Sequence, residues 1–230
     1  WHESALPAAP LAVWDGDAPA SLYAVSADGS VALTNDGGST WSALLKLPTG
    51  GDRVTPVHGL ADGKALLLVE SGESALVEGS PEAGDWRTLL TGMIAGAARD
   101  PATSTVYALR GAGVQVGNTE GAAWQLLEGS PAGGRAMAVI PGAAGKPPAI
   151  LVSTQSGPLL SPDGGATWQD VFLPQPGPVT VFARDPERRD RIYAATSSGF
   201  VFESGNRGAS WEAINAEAFS SVSYMYVVRI

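Results

Sequence analysis

Arg53, Arg110 and Arg135 stand in glycine- and proline-rich stretches of this chain, as do Glu70 and Gln155. Arginines brought together by a fold can fork onto a carboxylate, so these five form a candidate ligand-holding set. Glu70 and Glu73 stand close enough in sequence to suggest paired acid–base carboxylates, but inside a turn they read as solvated charges. The densest charge run is Arg184-Asp185-Pro186-Glu187-Arg188-Arg189-Asp190-Arg191, in which the signs nearly cancel. It reads as a solvated loop. Its Arg184, Arg188, Arg189 and Arg191 are a candidate protein-docking patch, because arginine is favoured at interface hot spots. His2 and His58 are the only histidines, and there is no cysteine. A thiolate zinc site, a cysteine nucleophile and a multi-histidine metal centre have no material here, and a Ser-His-Asp triad has little. His58 reads as a structural histidine rather than a ligand. No cofactor is implied.

The 230 residues carry 14 basic and 23 acidic side chains, a net charge of −9. Neutralising phosphates needs the opposite sign, so nucleic acid is excluded as a partner, and an anionic membrane surface is disfavoured. The longest aliphatic run, Ala65 to Val69, is far short of the roughly 20 residues that cross a bilayer. The chain starts at Trp1 rather than Met, which suggests a leader or an upstream domain already removed. Gly 29 and Pro 17 in a chain that is 44% apolar indicate many short strands joined by tight turns, not disorder.

The elements that position those residues repeat. Five of the seven tryptophans fall at 41, 86, 124, 168 and 211. A short apolar strand lies at a nearly fixed distance before each: Leu22-Tyr23-Ala24, Leu66-Leu67-Leu68, Val106-Tyr107-Ala108, Ile150-Leu151-Val152 and Ile192-Tyr193-Ala194. Each unit reads as four strands, with a glycine turn after the second and a glycine-rich turn before the tryptophan. Units of about 43 residues with four strands each are the arithmetic of a β-propeller blade. A β-sandwich would supply strands but no reason to repeat one turn sequence. The expected fold is therefore all-β, one β-propeller domain over 1–230. The blades fall near 11–47, 53–91, 92–128, 135–173 and 178–216, with a ring-closing strand at 218–230. The alternative is six blades, the tail beginning the last.

The turn before the tryptophan carries a family resemblance. Ser161-Pro162-Asp163-Gly164-Gly165-Ala166-Thr167-Trp168 fits Ser-x-Asp-x-Gly-x-Thr-Trp at every fixed position. Thr34 to Trp41 departs only by Thr34 for Ser, and Ser204 to Trp211 has Asn206 for Asp. Gly117 to Trp124 has Thr119 where the acid belongs, and Ser80 to Trp86 is one residue short, with Glu82. These turns resemble the Asp-box, or bacterial neuraminidase repeat, over essentially the whole chain. In that family the box is a hairpin between the third and fourth strands of a blade. The resemblance therefore implies structural roles for Asp36, Trp41, Glu82, Trp86, Trp124, Asp163, Trp168, Asn206 and Trp211. The acid is expected to accept from its own turn's amides, and the tryptophan to bury a large ring.

In propellers, connections leaving the fourth strand and hairpins between the second and third share the ligand face. This places Arg53, Glu70, Arg110, Arg135 and Gln155 there. Sialidases, which carry the box, hold a carboxylate with three arginines, but their Arg-Ile-Pro start and an obvious acid are missing here. Xyloglucan-cleaving Asp-box enzymes need a cleft between two larger propellers. The chain also resembles the photosystem II assembly factor family, Asp-box propellers that hold proteins during assembly. The expectation is a non-catalytic, extracytoplasmic scaffold whose partner is another protein. A carbohydrate-binding propeller or relic glycosidase is the alternative, with a glycan as ligand.

Overall fold

The structure, a computed structural model, describes residues 10–15, 18, 20–44, 46–61, 63–100, 102–103, 105–119, 123–143, 145–175, 177–185 and 187–215, without the side chains of 15 and 58–61. The proposed closing strand at 218–230, His2 and the side chain of His58 lie outside the described residues.

The described residues form twenty strands and no helix. The first sheet holds β1 (Pro10–Asp15), β2 (Leu22–Ser26), β3 (Val31–Thr34) and β4 (Ser42–Ala43). The second holds β5 (Arg53–Ala61), β6 (Lys64–Ser71), β7 (Glu73–Gly79) and β8 (Arg87–Gly92). The third holds β9 (Gly96–Arg99), β10 (Thr105–Arg110), β11 (Gly113–Asn118) and β12 (Gln125–Leu126). The fourth holds β13 (Ala136–Ile140), β14 (Ala149–Thr154), β15 (Gly157–Ser161) and β16 (Gln169–Asp170). The fifth holds β17 (Val179–Arg184), β18 (Ile192–Thr196), β19 (Val201–Ser204) and β20 (Glu212–Ala213). Strands adjacent in sequence pair antiparallel in every sheet. These five four-stranded antiparallel sheets are the blades of a β-propeller; the six-bladed alternative turns on residues 218–230, outside the described residues. The chain divides into two compact units, Trp1–Ile94 with the first two blades and Ala95–Ile230 with the other three.

Burial explains why the second strand of each blade reads as a plain apolar run. It sits inside its sheet with both faces covered, so period-two alternation disappears. Every residue of β14 is buried, and so are Ala65 to Val69 of β6. The fourth strand is the reverse. In four blades it is two residues long and both are exposed; β8 runs for six. Short outer strands leave little unpaired edge for another chain to join.

In the first unit, Trp14, Tyr23, Val25 and Val31 meet Val54, Leu67, Val69 and Val77 of the next blade. Trp14 and Tyr23 stack with ring centroids 5.6 Å apart. In the second unit, Leu109 and Val114 pack with Ile150 and Val152, while Leu151 and Leu160 pack with Ile192, Phe202 and Trp211. Each such side chain contributes about 1.5–3 kcal/mol when fully buried. A polar tie crosses the same seam: Ser153 Oγ donates to the Val179 carbonyl at 2.6 Å.

Candidate functional site

The arginines stand beside the hairpins between second and third strands, Arg53 at the start of β5, Arg110 at the end of β10 and Arg135 just before β13. Arg53 opens β5 opposite Glu70 of β6, and its Nε lies 3.5 Å from Glu70 Oε2. Glu73 stands past the turn, at the start of β7. In the second unit, Arg110 ends β10 beside the Gly111–Ala112 turn, and its Nη1 donates to Gln115 Oε1 at 3.4 Å. Arg135 Nη2 donates to Gln155 Oε1 at 3.5 Å. A backbone bond from Gly133 N to Gly111 O, 3.1 Å, holds the connection before Arg135 against the turn after Arg110. The structure thus joins Arg53 to Glu70 in one unit, and Arg135 to Gln155, beside the Arg110 turn, in the other. These side-chain contacts are at the long limit of hydrogen bonding. Each guanidinium can therefore exchange its partner for a ligand at small cost.

The loops expected on the ligand face hold almost no aromatics, yet Phe172 is 85% exposed just past β16. The signal was Val171-Phe172-Leu173 running on beyond the strand. Leu173 turns into the core and Phe172, alternating with it, turns out.

The four arginines of the charge run sit in different surroundings. Arg184 ends β17 half-buried, and burial lowers its pKa against the raising effect of Asp100. Arg191 bonds Tyr193, which raises its pKa, and its Nη1 pairs with Glu203 Oε1 at 2.9 Å. Asp185 accepts the amides of Glu187 at 2.9 Å and Arg188 at 3.0 Å, and these bonds lower its pKa. Of the four arginines, Arg188 and Arg189 are exposed, while Arg184 and Arg191 are partly buried.

The repeated turns close on themselves. In the first blade, Thr34 Oγ1 donates to Asp36 Oδ1 at 2.7 Å, and Gly38 N donates to Thr34 Oγ1 at 2.9 Å. Asp36 also takes the Thr40 amide at 2.9 Å and its hydroxyl at 2.7 Å. Asp163 repeats this with Ser161 Oγ at 2.8 Å, Thr167 N at 2.9 Å and Thr167 Oγ1 at 2.6 Å. The pKa values of both acids are lowered, most by the Thr34 hydroxyl for Asp36 and the Thr167 hydroxyl for Asp163. Asn206 keeps the frame, accepting from Ser204 Oγ and Ser210 N at 2.9 Å each. Its last bond is reversed: Asn206 Nδ2 donates to Ser210 Oγ at 2.8 Å.

The second blade corrects the role expected for Glu82. Its carboxylate takes the Tyr23 hydroxyl at 3.2 Å, while Asp85 takes Ser80 N at 2.6 Å. The turn is one residue shorter, and glutamate is one methylene longer, so Glu82 reaches outward instead of back over its own amides. In the third blade, Thr119 is buried at the acid position.

The tryptophans also differ from expectation. Trp211 is 6% exposed, in the core near Phe182, whereas Trp41, Trp86, Trp124 and Trp168 are half-buried. Placed beside the outermost strand, a ring finds cover on one side. Trp124 lies against Gly117 of β11 so closely that a Cβ there would come within 2.8 Å of it; Trp86 crowds Gly79 in the same way.

A further set of bonds was invisible in the sequence. The amide following the acid crosses to the connection between the first two strands of its own blade: Gly37 N to Ala20 O at 2.9 Å, Gly164 N to Pro148 O at 2.9 Å, and Arg207 N to Asp190 O at 2.8 Å. Arg207 holds φ of 62°, beside 69° and 76° for its glycine counterparts Gly37 and Gly164. Its Nη2 reaches the carbonyls of Ile140 at 3.3 Å and Pro147 at 3.4 Å in the fourth blade. The backbone penalty of that conformation is thus offset by a latch between blades.

Among the described residues no group of three or more His, Cys, Asp or Glu could hold a metal, and no helix is long and apolar enough to cross a membrane.

No family model matches the sequence, and no curated protein matches it. The likenesses are to solved structures. A GH74 xyloglucanase from Xanthomonas campestris superposes with a TM-score of 0.64 at 16% identity, over 90% of this chain and 38% of that one. YCF48 bound to D1 peptide gives 0.61 at 17% identity, over 84% of this chain and 63% of that one. YCF48 from Cyanidioschyzon merolae gives 0.60 at 18% identity, over 88% and 69%. The chain spans less than two thirds of the first two. At such identity the likeness shows the propeller fold.

Proposed function

We propose that this chain is a non-catalytic β-propeller scaffold that holds a protein partner through the loops carrying Arg110, Arg135 and Gln155. The observation behind the reading is the state of the side chains. Asp36 and Asp163 are spent within their own turns, while Arg110 and Arg135 are held by long bonds to neutral glutamines. A guanidinium so held can turn to a peptide carbonyl or carboxylate. The likeness to YCF48 bound to D1 peptide supports a peptide partner. Placement outside the cytoplasm goes with this reading, and fractionation of the source cells tests it.

A second reading has one observation in its favour. Exposed Phe172 could stack on a sugar ring, and the GH74 xyloglucanase shares the fold. Affinity capture from the source extract separates the two. Stoichiometric retention of one protein, lost in Arg110→Ala/Arg135→Ala, supports the scaffold. Binding on a glycan array that disappears in Phe172→Ala, or turnover of aryl glycosides, replaces it.

A further inference from the structure

Two of the repeated turns place a glycine directly after the acid, as Asp36–Gly37 and Asp163–Gly164. In an open chain this pair is prone to isomerise, because glycine offers no side chain to hinder its own nitrogen. The glycine nitrogen, losing its proton, attacks the aspartate Cγ. The new N–Cγ bond forms as the Cγ–O bond breaks, and the oxygen leaves as water, giving a succinimide. Water then opens either carbonyl of that ring. One opening restores aspartate, and the other gives isoaspartate, with an extra methylene in the backbone and no net change in mass.

The structure diverts both reacting groups. The nucleophile is occupied: Gly37 N donates to Ala20 O and Gly164 N to Pro148 O, each at 2.9 Å. The electrophile is held by other groups of its own turn. Asp36 is held by both the amide and the hydroxyl of Thr40, and Asp163 by those of Thr167. The same bonds keep each carboxylate ionised, which makes it a poor acceptor for attack. The fifth blade has the same frame with Asn206, where an adjoining glycine would allow faster loss of ammonia by the same attack. There the next residue is Arg207, despite its φ of 62°.

We propose that these turns are chemical locks, and that Asp36–Gly37 and Asp163–Gly164 are latent isoaspartate sites open to modification only when the turn opens. The test is site-resolved peptide mapping of isoaspartate after incubation at neutral pH, in the folded chain and in the same chain held unfolded by urea. The folded chain should react at least about tenfold more slowly at both bonds, the factor given by a local opening free energy of about 1.4 kcal/mol. Thr167→Ala should speed reaction at Asp163–Gly164 and leave Asp36–Gly37 unchanged. Arg207→Gly supplies an independent reading, since it creates an Asn–Gly pair inside an intact frame. Its deamidation should be slow when folded and fast in urea. Equal rates in folded and unfolded chains, at either aspartyl bond, overturn the lock. If Arg207→Gly does not fold, the comparison on the unaltered chain decides alone.

Discussion

Before Trp168, Asp163 reaches back over its own turn and takes the amide and hydroxyl of Thr167. Before Trp86, where the turn is one residue shorter, Glu82 reaches away to Tyr23, and Asp85 caps Ser80 instead. Both turns join the third strand of a blade to the fourth, and in both a carboxylate satisfies a backbone donor. What persists between them is a filled donor, not a residue at a fixed place. The requirement is physical, since a turn amide left without a partner costs more than the net gain of making its bond. The shorter turn also accompanies the longest outer strand, β8.

The largest effect that would test this contrast is on the rings. Trp211→Ala removes a buried side chain and should cost about 3–5 kcal/mol in urea unfolding. Trp86→Ala, with a half-buried ring, should cost clearly less. Equal losses would mean that ring burial does not separate the two turns. Next comes the exchange of acids in the second blade. Asp85→Ala should cost about 0.5–1.5 kcal/mol, the net worth of a hydrogen bond. Glu82→Ala should stay within about 0.5 kcal/mol, as for surface substitutions. The reverse order would restore Glu82 to the structural role.

Acid sharpens the comparison further. Asp36 and Asp163 have pKa values lowered by folding. Their contribution is therefore fully present above the unfolded value of about 3.9 and is lost as pH falls through the folded value. Hydrogen-exchange protection of the Thr167 amide should fall on acidification below about pH 4, while that of Ser210, held by neutral Asn206, should not. The smallest expected effect is that of Asp163→Asn. At neutral pH it should leave the unfolding midpoint nearly unchanged, because Asn206 shows the frame built with an amide, and it should remove the acid dependence at Thr167.

Much of this was legible in the sequence for one reason. A repeat reports the same fact several times, so the offset from Leu66-Leu67-Leu68 or Ile150-Leu151-Val152 to the following tryptophan located four-stranded blades without any single strong signal. The acid bonds of Asp36 and Asp163 were legible because their partners lie within the same few residues. Asp85 was not, because the repeat pattern points to Glu82 and only the reach of the side chain distinguishes them. The bonds from Gly37, Gly164 and Arg207 to Ala20, Pro148 and Asp190 were illegible for a different reason. They join backbone to backbone across loops, where side-chain identity leaves no mark. Arg188 and Arg189 could not be told from Arg184 and Arg191 in a run of charges. Their separation depends on which of them meets Tyr193, Glu203 or Asp100 in space.

Those backbone bonds also bear on how the chain acquires its structure. Because Gly37, Gly164 and Arg207 each close onto the first loop of their own blade, a blade can be tied off as soon as its last turn has been synthesised, with no partner from far along the chain. All-β domains dominated by distant pairings fold slowly, because loop closure must come before any contact can reward it. Here the pairings and the tie are both local. These three blades are thus suited to ordering one at a time as the chain leaves the ribosome.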